Sequence, residues 1–215
     1  MDGDELRDFS GLCRLFPLPG VVLFPHVVLP LHIFEPRYRQ MTEDALAGDK
    51  LVTIVQLQSR DGSMPTSPPA IEDVGCLGRI LQHERLPDGR FNFLLLGCKR
   101  VRLRRELSSG KLYRVAEAEI LEDHPSERAE GGGRPELVRL FRAVLERSES
   151  LDTDFCTFLD SDLPLGVLTD ILAHAMGLPP ERKQALLAES RVDRRVDELL
   201  DILRQALARN SATRT

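Results

Sequence analysis

The residue types that carry chemistry are present in this chain, but their spacing assembles no catalytic or metal site. The five histidines share no ligand-like spacing, such as two histidines four residues apart on one helix. The four cysteines contain no C-x-x-C pair. No G-x-x-x-x-G-K-[ST] phosphate loop occurs, and no segment combines a nucleophile with a base. We therefore expect no enzyme activity, no catalytic residues, no cofactor and no metal ion.

The most reactive-looking cluster is the tetrapeptide Glu35-Pro36-Arg37-Tyr38. One interpretation makes it a contact site for polypeptide, together with the apolar tract that ends at Phe24. The other is structural: Arg37 pairs with a nearby carboxylate such as Asp49, while Tyr38 and Phe24 belong to the core. We name Phe24, Glu35, Arg37 and Tyr38 as candidate polypeptide-binding residues, but we favour the structural interpretation of the cluster.

A basic run from Lys99 to Arg105 holds five cationic residues in seven. The run indicates a second class of function, an RNA-binding face made by Arg100, Arg102, Arg104 and Arg105. However, apolar residues alternate with the arginines, no aromatic residue interrupts the run, and the whole chain carries a net charge of −5. A solvated strand face explains the run equally well, and we do not expect nucleic acid as a partner.

The elements that position these residues begin with a proline-punctuated stretch, Phe16 to Lys50. Four of its prolines exclude a long helix before Phe34, and the apolar runs between them suit short strands or extended segments. Pro36 then fits the first turn of a helix that ends at Gly48. Strand patterns separated by turn residues follow as far as Leu121, with a bulge or a close backbone approach expected at Gly75 and Gly78 and a break at Gly97. These patterns predict a mostly antiparallel, partly closed sheet.

The last third of the chain has helical periodicity. Three consecutive glycines lie within residues 124–134, which read as a linker. After it, apolar residues recur at helical spacing in segments near 137–145, 165–176, 181–188 and 192–207. Ser190 and Asp193 have the spacing of a capping box for the last of these helices. The pattern predicts a helical bundle over residues 135–209.

Composition places the chain among globular proteins without a membrane segment. Hydrophobic residues make up 42% and charged residues 29% of its 215 residues. No apolar run approaches the ~20 residues that span a bilayer, and the acidic N-terminus lacks a signal-peptide pattern. We expect a cytoplasmic protein that makes no membrane contact.

The proline-rich stretch resembles the N-terminal substrate-binding domain of Lon ATP-dependent proteases. The similar motifs are Phe16-Pro17-Leu18, Leu23-Phe24-Pro25, Leu29-Pro30-Leu31, Ile33 to Tyr38, Gly48-Asp49, Gly75 to Ile80, Leu86 to Arg90 and Leu95 to Arg100.

This resemblance implies an α+β fold, a PUA-like β pseudo-barrel at residues 11–123 followed by the helical bundle. It also implies a stand-alone, non-catalytic substrate-recognition or adaptor protein whose partner is an unfolded or specific polypeptide. A separate ATPase or protease is left open as a further partner. A PUA-like RNA-associated module remains the alternative function.

Overall fold

The structure, a computed structural model, describes residues 6, 9–58, 68–125, 133–147, 159 and 161–212. Within this part of the chain it contains six strands and five helices. The strands are β1 (Leu12–Leu18), β2 (Val28–Ile33), β3 (Leu51–Gln56), β4 (Val74–Arg85), β5 (Phe91–Leu107) and β6 (Arg114–Leu121). The helices are α1 (Pro36–Leu46), α2 (Gly133–Arg147), α3 (Leu165–Ala175), α4 (Pro180–Ala188) and α5 (Val192–Ala212).

The six strands form one sheet in the order β2-β5-β4-β3-β1-β6, and an additional pairing joins β6 back to β5. Five strands therefore close a ring, and β2 lies outside it as an extra strand paired with β5. All the pairings are antiparallel except that of β1 with β3. The predicted α+β class and the mostly antiparallel, partly closed sheet are confirmed.

The core of the ring is built from alternate residues of the paired strands, because successive side chains of a strand point to opposite faces. One buried apolar cluster fills it, with members from each of the five ring strands: Cys13, Leu15, Leu51, Val55, Leu77, Val101 and Ala116. Cys13, Cys76 and Cys98 are buried and form no disulfide among the described residues. Cys156 lies outside the described residues.

Strand β5 runs without interruption through Gly97, so the predicted break there is wrong. The glycine is required for a different reason. A β-carbon at this position would lie 2.1 Å from the carbonyl oxygen of Phe24. Only glycine allows so close an approach of two backbones. His26 N donates to the carbonyl of Gly97 at 2.7 Å and fixes the Phe24 loop there.

The described residues divide into two compact units. The first comprises the described residues up to Glu122 together with His174–Ala188, and the second comprises Asp123–Ala173 together with the described residues from Glu189. In the first unit, α4 is attached to the sheet because Gln184 Nε2 donates to the carbonyl of Val74 at 2.9 Å. The four predicted helical segments of the last third are confirmed as α2 to α5.

The predicted domain limits, 11–123 and 135–209 with 124–134 as a linker, stay a prediction, since residues 126–132 lie outside the described part of the chain. No helix among the described residues is both long and apolar enough to span a membrane.

Candidate functional site

Among the described residues, exposed large apolar side chains are concentrated at a surface formed by β2, the first half of β5 and the second half of β4. Strand register brings outward-pointing residues of these strands into three cross-strand rows. They are Val28–Leu96–Arg79, Pro30–Leu94–Gln82 and His32–Asn92–Glu84. We call these nine residues, together with the adjoining exposed residues Leu81 and Phe34, the outer face. Part of it is concave, with a volume of about 450 Å³.

The first two rows are largely apolar. Val28 is 43% exposed, and Leu94 and Leu96 are half-buried. Leu81, the extra residue at a register shift in β4, is 49% exposed beside them. Phe34, which follows β2, is 61% exposed, and its ring lies 6.2 Å from that of His32. Large apolar side chains grouped on a surface, rather than scattered singly, are typical of a contact region.

The third row is polar and internally hydrogen-bonded. His32 Nδ1 lies 2.6 Å from Asn92 Oδ1, and Asn92 Nδ2 donates to Glu84 Oε2 at 3.4 Å. Because an amide oxygen only accepts, His32 Nδ1 carries the proton in this contact. Its Nε2 atom then faces Arg90 Nη1 at 3.4 Å. The row therefore borders the apolar part of the outer face with groups that donate and accept hydrogen bonds.

Strand β2 is an edge of the sheet, since β5 is its sole neighbour among the described strands. Pro30 lies in its middle, opposite Leu94. Proline has no N–H to donate, so it is tolerated within a sheet at an edge and not in a central strand. An edge strand leaves a row of backbone groups without sheet partners, although Pro30 removes one donor from that row.

The four residues predicted from sequence have two different environments. Phe24 has no exposed surface and Tyr38 is 6% exposed, with its ring 4.3 Å from that of Phe16. Glu35 and Arg37 are accessible. The burial of Phe24 and Tyr38 does not support them as contact residues. It agrees with the interpretation that both belong to the core.

Arg37 pairs with Glu35, so the expected ion pair between Arg37 and Asp49 is wrong. Arg37 Nη2 lies 2.8 Å from Glu35 Oε2, and the two side chains are 51% and 39% exposed. Its guanidinium carbon lies 4.5 Å from the centroid of the Tyr38 ring. Asp49 instead pairs with Arg14 at 2.6 Å. Burial raises the pKa of Tyr38, and the charge of Arg37 opposes that rise.

The basic run on β5 is not a free positive surface. Arg100 is 2% exposed and its Nε donates to the carbonyl of Leu187 at 2.9 Å. Arg104 pairs with Glu119, and Arg105 Nη2 lies 2.7 Å from Glu117 Oε1. Carboxylates of β6 therefore offset two of the four arginines that the RNA interpretation uses.

Sequence reasoning missed the outer face, because cross-strand rows depend on a register that the sequence does not display. One signal was available. The apolar run from Val28 contains a proline in its interior, which marks an edge strand. For metal binding, the described residues contain no group of three or more His, Cys, Asp or Glu side chains able to hold an ion.

A family model of the ATP-dependent protease La (LON) substrate-binding domain matches residues 13–205. Among curated proteins, Lon protease of Escherichia coli K12 is 29% identical over 196 residues, and Lon protease 2 of Thermus thermophilus is 28% identical over 200. These alignments cover 88% and 89% of this chain but 24% of each relative. The chain thus spans about a quarter of the length of these relatives.

Two solved structures have similar folds. The N-terminal domain of Lon protease from the Mycobacterium avium complex has a TM-score of 0.69 at 18% identity, covering 89% of this chain and 97% of that one. A Lon N-terminal domain protein from Xanthomonas campestris has a TM-score of 0.62 at 27% identity, covering 88% and 97%. The second likeness extends to sequence, whereas the first concerns the fold alone.

Proposed function

The chain belongs to the family of ATP-dependent protease La (LON) substrate-binding domains, and from this premise we propose that it is a non-catalytic protein that binds unfolded polypeptide on its outer face. The occupant that fits is an extended segment with apolar side chains. The observation that carries the proposal is the three-stranded surface, concave in part, on which exposed apolar residues lie beside a polar row.

The apolar rows supply the free energy of binding. Val28 and Phe34 each expose a large fraction of an apolar side chain, and covering such surface contributes roughly 25 cal/mol per Å². This contribution is non-directional and accepts many sequences. A surface of this kind suits a partner defined by being unfolded rather than by one motif.

The polar row and the strand edge supply orientation. An extended chain lying along β2 exposes its own N–H and C=O groups, which would lose water on docking. The backbone groups of β2 that point away from β5 pair with such a chain by strand addition, although Pro30 interrupts the row of hydrogen bonds. His32, Asn92 and Glu84 offer further donors and acceptors at one end.

The proposal assigns binding and no catalysis to these 215 residues, which contain neither a phosphate loop nor a nucleophile–base pair. An adaptor role follows if a separate ATPase or protease acts on the bound chain. Such a partner would supply the energy and the peptide cleavage.

The test is a double variant, Val28→Thr with Phe34→Ser, titrated against a fluorescently labelled, permanently unfolded protein by anisotropy. Both side chains are exposed, so the fold should persist. Loss of one buried apolar side chain costs about 1.5–3 kcal/mol, so we expect at least tenfold weaker binding. Leu112→Ser is the matched control because Leu112 is 63% exposed and lies off the outer face. Its affinity should equal that of the parent.

Equal affinities of the parent and the double variant would refute the outer face as the binding surface. The RNA alternative is an outcome of the same experiment. Micromolar affinity of the parent for single-stranded RNA that disappears in Arg102→Glu with Arg104→Glu, without affinity for the unfolded protein, would replace the present proposal.

A further inference from the structure

A second cavity in the strand-containing unit has a different character. It lies between α4, the end of β3 and the segment that leads into β4, and its volume is about 270 Å³. We call it the acidic cavity. It is lined by three carboxylates, two carboxamides and three apolar residues: Glu72, Asp73, Glu181, Gln56, Gln184, Leu57, Ala185 and Ala188.

Backbone hydrogen bonds hold the walls of the acidic cavity in place. Glu72 N donates to the carbonyl of Gln56 at 2.9 Å, and the carbonyl of Asp73 accepts from Leu103 N at 2.7 Å. Gln184 Nε2 donates to the carbonyl of Val74 at 2.9 Å. Since the amide nitrogen must be the donor to that carbonyl, the orientation of the Gln184 carboxamide is fixed. The arrangement is therefore built into the sheet and α4.

Two acceptors in these walls lack donors. Gln56 and Gln184 are each 7% exposed, and no hydrogen-bond partner for the Oε1 atom of either exists in the part of the chain that the structure describes. Buried side-chain acceptors in native proteins nearly always have a partner. Both glutamines line the acidic cavity, so a donor bound there would lie next to two acceptors that the described residues leave without a partner.

The electrostatics of the cavity favour a cation. No ion pair of Glu72 or Asp73 is found among the described residues, and burial together with the Asp73 charge raises the pKa of Glu72. The last turn of α4 reaches the cavity through Ala185 and Ala188, and a helix C-terminus carries a partial negative charge. Arg100, which donates to the carbonyl of Leu187, is not among the lining residues.

We propose that the acidic cavity binds the guanidinium group of a ligand. A guanidinium offers five N–H donors in one plane, which suits carboxylates and carboxamide oxygens spread around a wall. A compact metal ion suits it less, because the described residues include no group of three ligands close enough to hold one. The apolar residues Leu57, Ala185 and Ala188 can pack against the methylene stem of such a ligand.

The chemistry does not distinguish an arginine side chain in a polypeptide from a free small guanidinium compound. The inference is independent of the outer face, since no residue lines both sites. Failure of one proposal therefore leaves the other standing.

The experiment is a ¹⁵N NMR titration of the full chain. The probes are methylguanidinium chloride, acetyl-arginine-amide and a short peptide with one internal arginine, with sodium chloride as the ionic-strength control. We expect saturable shifts of the Gln56 and Gln184 side-chain amides and of the backbone amides of Glu72 and Asp73. Tighter binding of the peptide than of the small probes would identify a polypeptide as the source of the guanidinium group. Equal affinities would identify a free compound as the source.

The variant Glu72→Gln with Asp73→Asn removes two charges while keeping the shapes of the side chains. We expect it to weaken binding of acetyl-arginine-amide at least tenfold. The control is Glu43→Gln with Glu122→Gln, which changes the net charge equally at exposed positions away from the cavity. Shifts no larger than those with sodium chloride, equal weakening in both double variants, or saturation by calcium chloride without saturation by guanidinium would each overturn the proposal.

Discussion

Arg195 in α5 carries the largest stability effect that we predict for a single side chain. It is 1% exposed, and its two terminal nitrogens lie 2.9 and 2.5 Å from the carboxylate oxygens of Asp123. Its Nε donates to Thr169 Oγ at 3.1 Å and lies 3.6 Å from Asp170 Oδ1. Asp170 is 2% exposed, so removing the arginine takes an ion-pair partner away from a buried carboxylate.

The perturbation is Arg195→Met, which keeps an apolar stem of similar length and removes the charge. Breaking a buried ion pair from one side costs about 3–5 kcal/mol. Asp123 is 35% exposed, so solvent screens part of its attraction to Arg195. We therefore expect the free energy of unfolding to fall by about 3 kcal/mol, the lower end of that range. The control is Arg204→Met in the same helix. Arg204 pairs with Glu136 at 2.8 Å, but the side chains are 51% and 40% exposed, and we expect no measurable loss of stability.

The assay is urea unfolding followed by far-ultraviolet circular dichroism, which reports the helices. Tyrosine fluorescence is recorded in parallel, because the chain has no tryptophan and both tyrosines, Tyr38 and Tyr113, lie in the other unit. Parent, Arg195→Met and Arg204→Met are compared at equal ionic strength. A difference of less than about 1 kcal/mol between the two variants would refute the reasoning that burial decides the value of these ion pairs.

Two further predictions concern the first unit. Arg37→Ala should cost about 0–1 kcal/mol in urea unfolding, since its pair with Glu35 is exposed; a loss of 3 kcal/mol would contradict this and restore a buried structural role. Burial alone would raise the pKa of Asp44, but hydrogen bonds from Tyr113 and Lys111 outweigh it and hold that pKa below its ordinary value. This contribution to stability is present above the ordinary pKa and is lost as pH falls through the lowered one. The stability gap between the parent and Tyr113→Phe should therefore narrow on acidification, and a gap independent of pH would exclude the linkage.

Local patterns in the sequence are sufficient to predict the helices and strands, but not the tertiary contacts between them. Helical periodicity located α2 to α5, because the spacing of apolar residues is set within a single helix. Gly97 was recognised as special, yet its cause lies more than 70 residues away in the carbonyl of Phe24. An interpretation based only on residues adjacent in sequence places such a glycine at the end of a strand.

The candidate site shows the same division. The sequence indicated Glu35 and Arg37, which are exposed. It also indicated Phe24, which is completely buried in the fold. The sequence interpretation pairs Asp49 with Arg37 of α1, whereas Arg14, 35 residues away, reaches it across the β1–β3 pairing. Partner choice between charges is decided by strand register, which follows from packing of the whole sheet.

The distribution of charge argues for two kinds of recognition in one small unit. On β5, Arg104 and Arg105 are offset by Glu119 and Glu117, so few cations remain to displace counterions from a phosphate backbone. In the acidic cavity the imbalance has the opposite sign, since carboxylates lie beside carboxamide oxygens for which the described residues supply no donor. The outer face is mostly uncharged. A polypeptide, which carries both apolar and cationic side chains, matches these surfaces, whereas a polyanion matches neither.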